Sequence, residues 1–116
     1  MGDLAKNFSR AEFLCRHCQL VVGPDMLLVD VLQRMRTAQG QPMRIVSGYR
    51  CAPHNIAVGG SRRSQHVTGR AADIPAAYPG TIQDWKDAGA TGIGVRDRQV
   101  VHVDVRRDVG VIVFPD

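Results

Sequence analysis

In the first half of the chain apolar residues recur at helical spacing, and in the second half they gather in short alternating or continuous blocks. The clearest helical stretch is MLLVDVLQRMRTAQ, in which Leu28, Val31, Leu32 and Met35 share one face. Pro24-Asp25 opens it, basic residues occupy its last turns and Gly40 closes it. Ser9 and Glu12 have the spacing of a capping box, which predicts a short helix starting there. Residues 43–48, MRIVSG, read as a strand, and so do residues 71–74, AADI. GTIQDWKDAGA, residues 80–90, predicts a second helix. IGV, VVHVDV and VIVF predict three further strands, with Asp97-Arg98 as the turn before VVHVDV. Tyr49 to Arg70 is polar, contains glycine and has no period, which predicts a long loop; long ordered loops in compact domains usually carry function. A helix-rich half followed by a small, mostly antiparallel sheet makes an α+β fold, expected as one domain over residues 1–116.

Composition alters this only in detail. Hydrophobic residues make up 44% and charged residues 22%, ordinary for a globular protein, but aromatics are only 5%. The core must therefore rest on Val, Ile, Leu, Met and Ala. The formal charge of +4 favours an anionic partner, either nucleic acid or an acidic polymer such as a cell wall. The basic residues form no long run; SRR (61–63) and VRR (105–107) are the densest spots. No apolar run approaches the ~20 residues that span a bilayer. The N-terminal MGDLAKNFSRAEF has no signal-peptide hydrophobic region, so the chain is expected to carry no export signal and to be held first in a cytoplasm.

Two stretches carry chemistry. In VVHVDV, alternation puts Val101, Val103 and Val105 on one face, and His102 and Asp104 on the other. Seen alone, that polar face is as well explained by solvent. SQHVTGRAAD, however, adds His66 and Asp73, so that two histidines and a carboxylate come from separate elements. Three protein ligands of N/N/O type with an open water position are the pattern of a catalytic zinc site.

SGYR (47–50), HN (54–55), VGG (58–60), SQHVTGRAAD (64–73) and VHVDV (101–105) together resemble the zinc D-alanyl-D-alanine carboxypeptidases, whose superfamily also holds the VanX-type dipeptidases and the hedgehog signalling domain. NFSRAEF (7–13) and GIGV (92–95) are similar to the short, phage-endolysin-like members. The resemblance implies helices packed on a small sheet that carries the metal, with zinc ligands at His66, Asp73 and His102. It also implies that Arg50 engages a substrate carboxylate or carbonyl, which a guanidinium does with paired hydrogen bonds. Ser64, beside the first ligand, is implied to bind substrate; Gln65 has no assigned role. Arg70 is left outside the site as a surface cation.

One position departs from the pattern. Many family members carry Asp or Glu three residues before the last histidine as general base, and here that residue is Gln99. Asp104, two residues from His102 and on the same strand face, is the expected substitute, with Asp97 as second choice. The alternative role for Asp104 is to orient His102.

Cys15, Cys18 and Cys51 are an odd number of cysteines. C-x-x-C at 15–18 and C-x-x-H at 51–54 together have the form of a structural Cys₃His zinc site with His54 as fourth ligand. The rivals are a disulfide from Cys51 to Cys15 or Cys18, and buried reduced thiols. The implied function is a zinc metallopeptidase cutting an amide bond of peptidoglycan stem peptides, either D-Ala-D-Ala or L-Ala-D-Glu. Its zinc-activated water would attack the amide, and the protein would reach the wall when released or delivered by a phage. The alternatives are a catalytically inactive wall-binding zinc domain, suggested by Gln99, and a small zinc-ribbon-like nucleic-acid module, disfavoured by the few aromatics and the lack of a reading helix.

Overall fold

The computed structural model describes residues 2–60, 64–107 and 110–116. The basic triplet at 61–63 thus lies outside the described residues. Helix α1, Met26–Gln39, buries Leu28, Val29, Val31, Leu32 and Met35. The Asp25 carboxylate accepts from the Leu27 N–H at its start, and Gly40, at φ 65°, turns left-handed at its end. The Ser9–Glu12 capping box is present, but the segment it opens is a single 3₁₀ turn, Arg10–Phe13. Helix α2 is Ala52–Ala57, and helix α3 is Ile82–Ala88. Thr81 and Asp84 cap α3 reciprocally, and Trp85 and Ala88 turn inward.

Four strands follow: β1 Ala71–Asp73, β2 Gly92–Arg96, β3 Gln99–Asp104 and β4 Ile112–Pro115. Their order across the sheet is β1-β3-β2-β4. β3 runs antiparallel to both its neighbours, and β4 lies parallel to β2, so the sheet is mixed but mostly antiparallel. α1 and α3 pack against each other and share one core with Phe8, Phe13, Ile93 and Val103. The α+β class expected from the sequence is the one observed.

Three local expectations are corrected. Residues 43–48 form no strand; only Ser47 bridges to Asp73. Val46 and Ser47 bond the backbone of Asp73, but the next N–H groups turn elsewhere, Tyr49 to the Phe13 carbonyl and Arg50 to that of His66. The long loop of 49–70 contains α2 and a 3₁₀ turn, Gln65–Thr68. Six and four residues are too few to display a helical period, so neither stands out in the pattern. Lastly, the β2–β3 register shifts at Gly94/Val95, leaving Val101 as the extra residue of a bulge. Val100, Val103 and Val105 join the main core, while Val101 is buried outside it.

Leu32 is fully buried between these elements. Leu32→Ala is expected to cost about 2–5 kcal/mol of folding free energy, read from urea denaturation. The exposed Gln83→Ala should change it by no more than about 0.5 kcal/mol.

Candidate metal centre

The site is set by one turn and one strand register. Ser64 caps the 3₁₀ turn, its Oγ accepting from the His66 N–H at 3.2 Å. Gly69, at φ 73°, closes the turn in the left-handed region and sends the chain into β1, where Asp73 is the last residue. The register of β1 on β3 places Asp73 directly opposite His102. Asp73 Oδ1 consequently lies 3.1 Å from His66 Nε2 and 3.1 Å from His102 Nδ1. The two imidazoles meet edge to face with centroids 5.1 Å apart, and both are buried.

Proton bookkeeping shows what this arrangement suits. His66 Nδ1 is 2.7 Å from the Gly48 carbonyl, which can only accept, so Nδ1 carries a proton. A neutral His66 then points its Nε2 lone pair at a carboxylate oxygen. His102 repeats the pattern: Nε2 is 2.8 Å from Asp104 Oδ2, which leaves the Nδ1 lone pair aimed at the same oxygen of Asp73. Three acceptors converging on one point are relieved either by protonating both rings or by a cation. Tetrahedral zinc, with bonds of about 2.0–2.1 Å to nitrogen and oxygen, sets its ligands about 3.3 Å apart. The donor atoms of His66, Asp73 and His102 all lie within 4.8 Å of one another. Donor chemistry and spacing therefore both fit zinc.

Around this set lies a tightly bonded outer layer. Arg50 Nη2 donates to Asp73 Oδ2 at 2.7 Å, and its other nitrogens donate to Ser47 Oγ and Asn55 Oδ1. Asp104 is 0% exposed: Oδ1 accepts from the backbone N–H and Nε of Arg106, and Oδ2 accepts from Arg106 Nη2 at 2.6 Å while meeting His102. Arg106 in turn lies over the Phe114 ring, 5.0 Å from its centroid, and Phe114 meets His102 edge to face. Glycine is required at 92, because a Cβ there would collide with the pinned Asp104 carboxylate.

These contacts shape titration in the metal-free protein. Burial is the largest influence on His102 and lowers its pKa, but the hydrogen bonds and charges of Asp104 and Asp73 outweigh it and push the ring up to about 9. For Asp73 and Asp104 burial again acts first, raising the pKa. Bonds from His102 and His66 in one case, and from Arg106 and His102 in the other, hold both carboxylates well below their usual range.

A cleft of about 360 Å³ opens onto His66, Asp73 and His102, lined also by Arg50, Ser64, Gln65, Arg106, Phe114 and Asp116. The Gln65 Oε1 is buried and has no hydrogen-bond partner among the described residues. Asp97 and Gln99 stand exposed in and beside the β2–β3 turn and do not line the cleft. Arg70 pairs with Asp25, outside the site as expected. Arg106, Phe114 and Asp116 were missed by the sequence reading; the one available signal was Arg106, two residues beyond Asp104 on the same strand periodicity.

The three cysteines come together as a second group, all Sγ atoms within 4.8 Å, and no S–S bond joins them. Cys51 Sγ has His17 Nδ1 at 3.3 Å, whereas the His54 ring stacks on that of His17.

The family model described as Peptidase M15 matches residues 6–104, a span that holds His66, Asp73, His102, Arg50, Ser64 and Asp104. No curated protein matches the chain.

The shifts set a pH dependence for the chelated protein. His102 is raised from 6.5 to about 9, so its ion pairs contribute fully below pH 6.5 and are lost as pH rises through about 9. The two depressed carboxylates contribute above about pH 4 and lose their effect as pH falls. Urea denaturation across pH should find maximal metal-free stability between these limits. Zinc affinity should instead rise with pH, because uptake displaces ring protons. Gly92→Ala is expected to weaken zinc binding about 10–100-fold in competition titrations by displacing the Asp104 brace.

Proposed function

The chain belongs to the peptidase M15 family, and from that premise we propose that it is a zinc metallopeptidase that hydrolyses an amide bond in the stem peptides of bacterial peptidoglycan. The observation that carries this reading is the convergence of His66, Asp73 and His102 on one point of a cleft that also holds two arginines. When bound, zinc lowers the pKa of a coordinated water to about 7 and polarises a carbonyl oxygen. His66 Nε2, Asp73 Oδ1 and His102 Nδ1 are the atoms that would hold it.

The chain's own groups divide the remaining work. Arg50 and Arg106 each retain guanidinium N–H groups beyond those bonded to Asp73, Ser47, Asn55 and Asp104, and both line the cleft. They suit a carboxylate on the leaving side of the bond. D-Ala-D-Ala and L-Ala-D-Glu share that feature, the first in its terminal carboxylate and the second in the free carboxyl of D-Glu. The Ser64 hydroxyl can donate to the substrate, and Gln65 Oε1 can accept from a peptide N–H.

Asp104 is assigned a positioning role in place of the base role expected from the sequence. Its carboxylate is fully buried, both oxygens are engaged by Arg106 and His102, and it does not line the cleft. A general base must reach the attacking water. Among the described residues the one cleft-lining carboxylate outside the ligand set is Asp116, which we assign to accept the water's proton. The positive chain suits an anionic wall, where release or delivery by a phage would bring it.

Purified peptidoglycan should yield peptides that are absent when a zinc chelator is added, and their masses identify the bond. His66→Ala is expected to abolish the products. Asp116→Asn should lower kcat about 10²–10⁴-fold with zinc retained, and Asp104→Asn should weaken zinc affinity about 10–100-fold. Chelator-resistant products would overturn the assignment to zinc. Unchanged turnover in Asp116→Asn would remove that residue from the mechanism.

A further inference from the structure

The peptidase reading leaves the cysteine cluster without a role. Packing accounts for only part of it: Cys15 is buried, but Cys18 and Cys51 are half-exposed and none of the three joins the main hydrophobic cluster. We propose that Cys15, His17, Cys18 and Cys51 hold a second, structural zinc ion that clamps the N-terminal segment onto the start of α2, next to the catalytic site.

The geometry is that of a thiolate metal site. Cys15 Sγ and Cys51 Sγ are 3.7 Å apart. Two zinc–sulfur bonds of about 2.3 Å at a tetrahedral angle place their sulfurs about 3.8 Å apart, whereas a disulfide requires about 2.05 Å. Cys18 Sγ completes a triangle within 4.8 Å. His17 Nδ1 lies 3.3 Å from Cys51 Sγ, close to the separation of about 3.5 Å that mixed nitrogen and sulfur ligands of one zinc would show. It is outside the mutual 4.8 Å group of the three sulfurs, so its exposed ring would turn toward the ion on binding. The Cys51 backbone N–H points at Cys15 Sγ from 3.4 Å, the kind of bond that supports a metal-bound thiolate. His17 thereby replaces His54, the fourth ligand expected from the C-x-x-H spacing. The His54 ring is stacked 7° from parallel on His17, at 5.9 Å between centroids, where it braces the ligand. On binding, the thiols enter as thiolates and their protons pass to solvent.

The location gives the clamp its purpose. Cys51 follows Arg50 directly and caps α2, and Tyr49 N–H bonds the Phe13 carbonyl two residues before Cys15. Gly48 sits so close to Phe13 that a Cβ would clash with its backbone. An ion joining 15–18 to 51 would thus hold in place the Gly48 carbonyl that orients His66 and the Arg50 guanidinium that bonds Asp73.

The test is metal stoichiometry of the full chain, purified with reductant and zinc, by elemental analysis and native mass spectrometry. Two zinc ions per chain are expected, falling to one in His66→Ala and to one in Cys18→Ser. Replacing zinc with cobalt should give thiolate-to-metal charge-transfer absorption that survives in His66→Ala and vanishes in Cys18→Ser. Should Cys18→Ser fail to fold, the cobalt spectra of wild type and His66→Ala decide alone, and no charge-transfer band overturns the site. One zinc in the wild type overturns it too, as does a mass two hydrogens short of the reduced chain without added oxidant. His17→Ala should release the second ion and His54→Ala should retain it; the reverse result removes His17 from the ligand set. Because His66→Ala leaves the cysteine cluster intact, failure here and failure of the peptidase reading are separate outcomes.

Discussion

The Asp73 carboxylate is the constraint to which the rest of the molecule answers. One oxygen faces two imidazole nitrogens and the other is held by Arg50. Its backbone does as much: it pairs with His102 across the sheet and bonds Val46 and Ser47 on the other side. A short strand is adequate because each of its residues is committed. A carboxylate drawn in among two rings is tolerable only with countercharge, which the guanidinium supplies in part and the centre supplies in full with protons or a cation.

Behind this lies a chain of orientation. Gly48 fixes the face of His66, and Asp104 fixes that of His102. Asp104 is itself locked by Arg106, and Arg106 is seated on Phe114 from the edge strand β4. Removing the partner of His66, His102 or Asp104 would leave a buried polar group without its bond, which is why burial here enforces precision. The glycine at 92 belongs to the same logic, since it vacates the volume in which Asp104 sits.

Much of this could be read directly from the residues, and the failures have physical causes. Helix α1 was legible because Asp25, Gly40 and a regular apolar face agree with one another. His66, Asp73 and His102, which the structure brings together, stood out through an ordered set of residue types that packing does not call for. The strand at 43–48 was misread because its apolar residues, Met43 and Ile45, are buried without a sheet partner. The bulge at Val101 was invisible, since positions 100 and 101 are both valine and the slip changes only which of them meets the core. The pairing of His17 with Cys51 was missed because His17 sits inside a C-x-x-C spacing whose pattern draws attention to the cysteines. Asp116 depends on how β4 returns alongside β2, which no local pattern encodes.

The register of β1 on β3 also divides the candidate ligand set in two. His66 and Asp73 are joined by a single short turn, whereas His102 arrives on a strand that follows α3 and β2 in the chain. Those two residues alone make a two-pronged hook, and an ion held by them without the third would exchange readily. Full grip comes only with the strand pair, so occupancy reports on whether the sheet has closed. By mass action the ion returns the favour, adding its binding free energy to the closed state and strengthening the hold of the edge strand β1 on β3.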